Sequence, residues 1–246
     1  MSNHRFGKHP AKHDYRTLRF KPYLKASIPA PPASYDILAK VYEKLKTNDP
    51  TKLFPMDGND KYGDCTIAAL AHAETTYRGL IGKHKVMAEK SVEKIYFQLT
   101  GGIDSGLAEL DVLNYWRQNK VSGDEILAYV SLDTKNHTHL KQAIQMFGGV
   151  YLGFQCQQNC EEEFNAGKPW TPGKLTKDGH AVYAVGYDEK MLTVLTWGNI
   201  QKATYAWWDE CVDEAYAILP PQAKDPDFAP GFDIAQLQSD LADVAH

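Results

Sequence analysis

The chain has 246 residues, of which 43% are hydrophobic and 24% are charged, and its net charge is −4. These values are typical of a globular protein with enough apolar material for its own core, so folding needs no disulfide or metal. The acidic balance argues against a nucleic-acid partner, because general nucleic-acid binders carry a basic surplus. No run approaches the ~18 apolar residues of a membrane span, so we expect no membrane association.

The N-terminal residues and the cysteines indicate a reducing compartment. The first residues are polar and basic and lack the apolar stretch of a secretory signal. Cys65, Cys156, Cys160 and Cys211 are few and irregularly spaced, which favours free thiols over a disulfide framework. Cys156 and Cys160 lack a second pair of ligands at metal-binding spacing. We therefore expect a cytoplasmic protein that uses neither a metal nor an organic cofactor.

Residues 1–49 are predicted to form a basic N-terminal arm that ends in a short helix. Up to Ala30 this segment contains seven Lys or Arg residues and one acid, Asp14. The prolines between residues 28 and 35 exclude a regular helix or a central strand there. We expect the arm to pack on the folded domain. Apolar residues at helical spacing then predict a helix over residues 36–48.

The next segment, residues 50–122, has the pattern of a helical half-domain. The clearest helix is predicted over residues 66–80, where an apolar stripe runs along one face and glycines follow. Two more amphipathic helices are predicted over residues 88–99 and 107–119.

The pattern changes after Gly123 to short β-like alternation. The elements predicted here are strands over residues 126–130, 150–154, 180–187 and 191–196 and a helix over residues 139–147. Only Asp188-Glu189 separates the last two strands, so they are predicted to form a hairpin. Residues 155–179 are predicted as a polar loop, and residues 205–208 as either a strand or the start of a helix.

Helices therefore dominate residues 50–122 and strands dominate residues 123–219, and residues 220–246 form an acidic tail with a predicted amphipathic helix. Segregated helices and strands indicate an α+β fold with a helical layer and a strand-rich antiparallel layer. A cleft between two such layers is a favoured place for a functional site.

Cys65 directly precedes the clearest helix and follows Gly63-Asp64. The positive end of the helix dipole and the free amides of the first turn favour a thiolate, the nucleophilic form of cysteine. Taken alone, a cysteine here is more often a small buried residue. Asp64 also places a carboxylate beside the thiol, which opposes thiolate formation.

His180 stands at the mouth of an apolar strand, where an imidazole can act as a general base. Taken alone, it is more often a strand-end histidine without a role. Together with Cys65, however, it indicates a catalytic pair, because a cysteine at a helix start and a later histidine on a strand are the arrangement of a thiolate–imidazolium pair.

Three segments of the chain resemble papain-like (C1-type) cysteine peptidases. In the family, a Gln lies six positions and a Gly two positions before the nucleophilic Cys, which begins a helix. In this chain the corresponding positions before Cys65 are Asn59 and Gly63. Residues 179–187 match the family's Gly-His-Ala-Val…Val-Gly-Tyr block. Trp197-Gly198 matches the end of the family's Asn-Ser-Trp-Gly. The resemblance covers about residues 50–219.

The resemblance implies a papain-like cysteine proteinase fold with the active-site cleft between the two layers. It implies that Cys65 is the nucleophile, that His180 is the general base and acid, and that Asn59 replaces the oxyanion-hole Gln. The residues it places as candidates for lining the substrate cleft are Gly63, Asp64, Trp170 and Trp197. The first 49 residues are short for an inhibitory propeptide of this family and show no propeptide motif.

The chain departs from the family pattern around the nucleophile and the histidine. Thr66 stands where the family has Trp, and Asn59 is one methylene shorter than Gln. The family's Asn that orients the imidazole is also missing, because Leu195-Thr196 stand at the Asn-Ser positions.

Two residues are candidates to orient His180 instead. A hairpin loop centred on Asp188 would place Thr196 opposite His180. A turn centred between Asp188 and Glu189 would place Trp197 there, with Asn199 as a diagonal neighbour. Thr196 would accept the imidazole N–H through its hydroxyl and Asn199 through its amide oxygen. The sequence leaves both open.

The function predicted from these residues is thiol-dependent hydrolysis of a peptide or isopeptide bond, with a peptide or protein as the substrate. Two alternatives remain. The same fold can serve as an inactive binding or structural module, which the departures favour. A Cys–His pair can also serve another acyl-transfer enzyme, such as an amidase or a transglutaminase-like enzyme. The sequence does not determine the oligomeric state.

Overall fold

The computed structural model describes residues 4–47, 49–225 and 228–244, and its elements form an α+β fold. The helices are α1 (Ile37–Leu45), α2 (Pro50–Leu53), α3 (Cys65–Leu80), α4 (Glu89–Leu99), α5 (Glu109–Gln118), α6 (His137–Phe147), α7 (Cys160–Asn165), α8 (Tyr205–Cys211) and α9 (Ile234–Val244). The strands are β1 (Tyr35–Asp36), β2 (Ala128–Ser131), β3 (Val150–Gln157), β4 (Leu175–Tyr187), β5 (Met191–Thr196), β6 (Asn199–Thr204) and β7 (Val212–Leu219). The predicted fold class is confirmed.

The strands form one antiparallel sheet in the order β2-β7-β3-β4-β5-β6, and β1 also pairs with β4. The long strands β3 and β4 lie in its middle, and Phe154 of β3 pairs with His180 of β4. Under the sheet at this point, the ring of Phe154 packs against Trp170 and Trp207 with centroid distances of 5.0 and 4.8 Å. The strand segment that carries His180 is therefore supported by a large aromatic cluster.

Helix α3 is the centre of the helical layer, and every residue from Cys65 to Gly79 is buried. Small alanines let neighbouring elements approach it closely, and its packing partners include both α1 and the sheet. The hydroxyl of Tyr151 on β3 donates to the carbonyl of Thr66 at 2.9 Å, which attaches the first turn of α3 to the sheet. The start of α3 is thus held at the junction between the two layers.

Several local predictions were wrong. The polar loop predicted over residues 155–179 contains α7 and the first residues of β4, and strands β6 and β7 were not predicted. Residues 205–208 belong to helix α8. Neither predicted hairpin register occurs, because Tyr187 pairs with Leu192 and a bulge at Val185 shifts the pairing further along. That extra residue was not visible in an otherwise regular apolar run.

The N-terminal arm crosses from the acidic tail to the junction of the layers. Its middle part contacts the tail and the edge strand β2 of the sheet. The Tyr23 hydroxyl donates to Asp240 on α9 at 2.7 Å, and the amide of Phe20 donates to the carbonyl of Ser131 on β2 at 2.9 Å. Its first described residues then run between α3 and β4. No helix in the described part of the chain is long and apolar enough to cross a membrane.

The contact between α1 and α3 predicts that Gly79→Ala destabilises the protein, although helix propensity alone predicts that it stabilises the helix. Replacing a helical Gly by Ala normally stabilises a helix by about 0.5–1 kcal/mol. A Cβ at Gly79 would, however, lie 2.6 Å from Cγ1 of Val41. We expect Gly79→Ala to lower the free energy of unfolding by about 1–3 kcal/mol, as overpacked core substitutions do.

Urea unfolding of a double-mutant cycle tests this prediction, with Val41→Ala as the second substitution. Because Val41→Ala removes the atoms that clash, Gly79→Ala should destabilise the Val41→Ala background much less than the wild type. Additive effects of the two substitutions would show that the close approach of α1 and α3 is not the cause.

Candidate active site

Cys65 is the first residue of α3, and its thiol is buried at the junction of α3 with β4. The backbone N–H groups of Ala181 and Gly7 lie against the thiol and act to lower its pKa. Burial has the larger effect and raises the pKa of Cys65 to about 12, with Asp64 acting in the same direction. Because Ala181 follows His180 directly, this contact brings the thiol against the strand segment that carries His180.

His180 is buried among aromatic rings on β4. Its Nε2 lies 2.7 Å from Oγ1 of Thr196, and the ring stacks on Trp197 with a centroid distance of 4.5 Å. Its Nδ1 is buried and has no hydrogen-bond partner among the described residues. Burial, with smaller contributions from His4 and His72, lowers the pKa of His180 to about 3. The thiol and the imidazole are therefore both neutral in this structure, in contrast to the ion pair that the sequence predicts.

Of the two residues predicted as candidates to orient His180, Thr196 contacts its ring and Asn199 does not. The Oδ1 atom of Asn199 instead accepts a hydrogen bond from the amide of Ile200 at 2.8 Å, on the exposed side of β6. Thr196 reaches His180 although neither predicted register occurs. The bulge in β4 shifts the β4–β5 pairing by one residue, so that Tyr183 pairs with Leu195 and Thr196 becomes a diagonal neighbour of His180.

Trp197 and Gly198 form the tight turn between β5 and β6, with φ angles of 47° and 70°. Positive φ at both central residues is the conformation of the two-residue hairpin turn that suits twisted strands. A tryptophan costs about 1–2 kcal/mol in this region, since its Cβ crowds the backbone. In return, the turn lays the indole over the imidazole of His180. Trp197 thus packs directly against the ring of His180.

Trp170 corrects a prediction, because it is a core residue and does not line the cleft. Its side chain is fully buried, and its indole N–H donates to the carbonyl of Cys160 at 2.9 Å. Its ring packs edge-on against Trp197 with a centroid distance of 5.9 Å. Trp170 thus supports Trp197, which in turn stacks on His180.

Asn59 and Asp64 flank the thiol in states that the sequence does not reveal. The Nδ2 group of Asn59 donates to the carbonyls of Tyr62 and of Arg5, each at 3.1 Å. Arg5 belongs to the N-terminal arm, so one of the two donors of this amide faces a carbonyl of the arm. Burial raises the pKa of Asp64 to about 8. The carboxyl is therefore mostly protonated at neutral pH, and the negative charge expected beside Cys65 is largely suppressed.

The N-terminal arm occupies the cleft over Cys65 and His180. Gly7 lies against Gly63 so closely that a Cβ on Gly7 would be 1.8 Å from the carbonyl oxygen of Gly63. The amides of Gly7 and Lys8 donate to the carbonyl of Gly179 at 3.2 and 3.0 Å. Gly63, predicted to line the cleft, thus faces the arm. These contacts join the arm to both walls and exclude solvent from the thiol.

Side chains on both sides of Gly7 anchor the arm. The ring of His4 stacks on Trp197 at 4.2 Å, and Phe6 meets the ring of His180 edge-on at 5.7 Å. The Nζ atom of Lys8 lies 2.8 Å from Oδ2 of Asp213 and 3.0 Å from Oε1 of Glu214. Sequence analysis missed these residues as parts of the site. The only signal in the sequence was Phe6-Gly7-Lys8, a glycine between an aromatic and a basic residue. Such a pattern is too common to predict a segment that fills a cleft.

All four cysteines are free and buried in this structure. Among the described residues no group of three or more His, Cys, Asp or Glu side chains is arranged to hold a metal ion.

Solved structures of cysteine proteases share this fold. Xylellain, a cysteine protease from Xylella fastidiosa, superposes with a TM-score of 0.66 and 18% identity, over 89% of this chain and 97% of that one. Procathepsin L2 from the larval midgut of Tenebrio molitor gives 0.64 and 16% identity, over 89% and 79% of the two chains. A Carica candamarcensis cysteine protease solved in complex with E-64 gives 0.55 and 16%, over 77% and 98%.

The chain therefore has the fold of the papain-like cysteine proteases, as the sequence resemblance implied. At these identities the likeness establishes the fold, and a shared fold does not by itself establish activity. The sequence matches no protein-family profile and no curated protein.

The arm contact predicts how Cys65 reacts with alkylating agents. In the wild-type chain, iodoacetamide should label Cys65 slowly between pH 5 and 8, because a thiol with a pKa of about 12 is almost entirely protonated there. Gly7→Val should displace the arm through its clash with Gly63 and accelerate labelling at pH 8 by about a hundredfold or more, since an unperturbed thiol has a pKa of ~8.5.

Mass spectrometry of each cysteine after timed labelling measures these rates. Tyr15→Ala is the matched control, because Tyr15 lies in the same arm and its side chain is 98% exposed. Equal labelling rates of Cys65 in Gly7→Val and in the wild type, with both chains folded, would mean that the arm does not protect the thiol.

Proposed function

We propose that the protein is a thiol-dependent peptidase that cleaves peptide or isopeptide bonds through Cys65 and His180. The observation that carries this proposal is the contact of the Cys65 thiol, at the start of α3, with the amide next to His180 on β4. A nucleophile on one layer and a base on the other, in the fold of cysteine proteases, is the arrangement that covalent acyl transfer needs. A peptide or protein is the proposed substrate, and a cytoplasmic location stays a prediction from the sequence.

The proposed reaction begins when the arm leaves and water reaches the site. Solvation removes the burial that keeps the pair neutral, and the proton of Cys65 passes to His180. The thiolate then attacks the carbonyl carbon, and a carbon–sulfur bond forms as the carbonyl oxygen becomes negative. The Nδ2 donor of Asn59 that now faces the carbonyl of Arg5 is released to stabilise this oxyanion.

The leaving amine takes its proton from the imidazolium of His180 as the carbon–nitrogen bond breaks. Water then attacks the thioester, with His180 accepting its proton, and the carbon–sulfur bond breaks to release the carboxylic acid and the thiol. In this sequence Thr196 holds the imidazole in place through its hydrogen bond to Nε2. Trp197 covers that hydrogen bond from water.

One observation favours the alternative of an inactive module. The amide of Asn59 is fully engaged, and the pKa values of Cys65 and His180 have moved in the directions that keep both groups neutral. Part of this environment comes from the arm, because the arm covers the thiol, His4 lowers the pKa of His180, and the carbonyl of Arg5 engages Asn59. The state of the pair after the arm has left therefore separates the two functions.

The test uses a full-length variant with Gly7→Val and Lys8→Glu, which we call the arm-open variant. The valine clashes with Gly63, and the glutamate is repelled by Glu214 and Asp213. We expect it to hydrolyse fluorescently labelled casein, whereas the wild-type chain should be slower by about 10²-fold or more because its thiol is covered. Cys65→Ser or His180→Ala in the arm-open variant should abolish hydrolysis.

The outcomes separate the candidate functions. If the arm-open variant is folded and its Cys65 alkylates rapidly but casein is not cleaved, an added amine such as glycinamide tests for transfer in place of hydrolysis. If Cys65 stays unreactive and no substrate is cleaved, the peptidase proposal is wrong and the fold serves as a binding module.

Thr196 gives a separate prediction for the positioning of His180. In the arm-open variant, Thr196→Val should lower kcat/KM for casein by about tenfold, because a hydrogen bond to an ionisable group contributes ~1.5 kcal/mol. Thr196→Ser keeps the hydroxyl and should restore most of the activity. The basic limb of the pH–rate profile should also move to lower pH in Thr196→Val, since the imidazolium loses its acceptor and gives up its proton more readily. Equal profiles for all three chains would remove Thr196 from the mechanism.

A further inference from the structure

An acidic pocket lies next to the thiol and is formed by Glu109 of α5 and by Asp213 and Glu214 of β7. In this structure it holds the side chain of Lys8, which is only 1% exposed. The ammonium group lies 2.8 Å from Asp213 and 3.0 Å from Glu214, and it also donates to the carbonyl of His9 at 3.1 Å. A lysine buried to this extent is rare unless it is paired.

The pocket has space for a long side chain because two residues on its walls are glycines. A Cβ at Gly153 of β3 would lie 1.8 Å from Cε and 2.5 Å from Cδ of Lys8. A Cβ at Gly179 of β4 would lie 2.4 Å from the backbone oxygen of Lys8. The first glycine makes room for the aliphatic stem, and the second lets the backbone of the occupant approach the strand.

In the part of the chain that the structure describes, the pocket contains three carboxyl groups and only one cation, that of Lys8. Both carboxylate oxygens of Glu109 are buried without a hydrogen-bond partner among the described residues. Burial raises the pKa of Glu109, as does the nearby Glu214, whereas Lys8 lowers it. Burial acts to lower the pKa of Lys8, but the three carboxyl groups outweigh it and raise that pKa overall. The pocket therefore retains a cation in spite of its burial.

The position of the pocket relates it to the proposed chemistry. Lys8 directly follows Gly7, whose amide lies against the thiol of Cys65. The backbone of this segment bridges to Leu107, which accepts from the amide of His9 and donates to the carbonyl of Gly7, both at 2.9 Å. A peptide that uses the same walls would place a side chain in the acidic pocket within about two residues of the atoms that face the thiol.

We propose that the acidic pocket binds a lysine or arginine side chain of the substrate, within two residues of the cleaved bond, and that Lys8 occupies it in the closed chain. The proposal rests on the function proposed above, because a substrate must replace the arm. An apolar side chain would leave Glu109 and Glu214 buried without a cation, which is costly for buried ionisable groups. Asp213, whose side chain is 36% exposed, lies towards solvent, so the larger guanidinium of an arginine can extend past the position of the Lys8 ammonium and still pair with it.

Peptide binding tests the pocket independently of catalysis. The receptor is the full-length arm-open variant with Cys65→Ser, and the probe is a fluorescein-labelled peptide of residues 4–13, read by fluorescence polarisation. We expect this peptide to bind about tenfold or more tightly than the same peptide with Lys8→Leu, as a charge-assisted contact predicts. The peptide with Lys8→Arg should bind better than the one with Lys8→Leu, and the peptide with Lys8→Glu should bind worst.

Two receptor variants assign this preference to the pocket. Glu109→Gln with Glu214→Gln should reduce the difference between the lysine and leucine peptides to about threefold or less, because the cation loses its partners. Glu43→Gln removes an exposed carboxylate on α1 and should leave the preference as it is. Equal binding of the lysine and leucine peptides to the unmodified pocket would overturn the proposal.

Hydrolysis by the arm-open variant then connects the pocket to the substrate. Among fluorogenic peptides that differ at one position near the cleaved bond, those with Lys or Arg should have kcat/KM values about tenfold or more above those with Leu. If casein is cleaved but the Lys, Arg and Leu peptides have equal kcat/KM values, the pocket proposal fails while the peptidase proposal stands. If nothing is cleaved but the polarisation assay prefers lysine, the peptidase proposal fails and the pocket remains as a binding site for basic peptides.

Discussion

The arrangement of the site depends on the contact between the first turn of α3 and the two central strands. Helix α3 is buried along nearly its whole length, so its position is determined by packing on all sides. The hydrogen bond from Tyr151 to Thr66 holds its first turn on β3, and the adjacent strand β4 brings Ala181 to the thiol. The thiol of Cys65 and the strand segment that carries His180 are therefore brought together by two packed elements of regular structure.

The arm strongly affects the electrostatics of this junction. It replaces water with backbone amides, aromatic rings and one lysine, and burial then favours the uncharged forms of both Cys65 and His180. The same segment supplies a carbonyl to Asn59 and a cation to the acidic pocket. If the protein acts as proposed, a peptide substrate would replace the arm in these contacts, and departure of the arm would also expose the thiol.

The sequence predicted the α+β class, the papain-like fold, most helices and the location of Cys65 at a helix start, because these follow from periodicity and short motifs. It did not predict β7. The first residues of this strand include Asp213 and Glu214, whose charges are untypical of a buried strand and are accommodated there because Lys8 pairs with both. The bulge at Val185 was likewise invisible, so the contact of His180 with Thr196 was one of two open choices. Burial of Trp170 and of the carboxyl of Asp64 depends on distant packing that no local pattern encodes.

The pH titration of thiolate absorbance near 240 nm decides whether Cys65 and His180 form a reactive pair once the arm has left the cleft. It is carried out on the arm-open variant and on the wild type, each corrected with its own Cys65→Ser control. The account predicts a Cys65 thiolate that forms well below pH ~8.5 once the cleft is open, because the helix start, the amide of Ala181 and a protonated His180 then stabilise it. It predicts no such signal below pH 9 in the wild type, where the arm covers the thiol. A thiolate that appears only above pH ~8.5 in both chains would contradict the account, since Cys65 and His180 would then not form a reactive pair even without the arm.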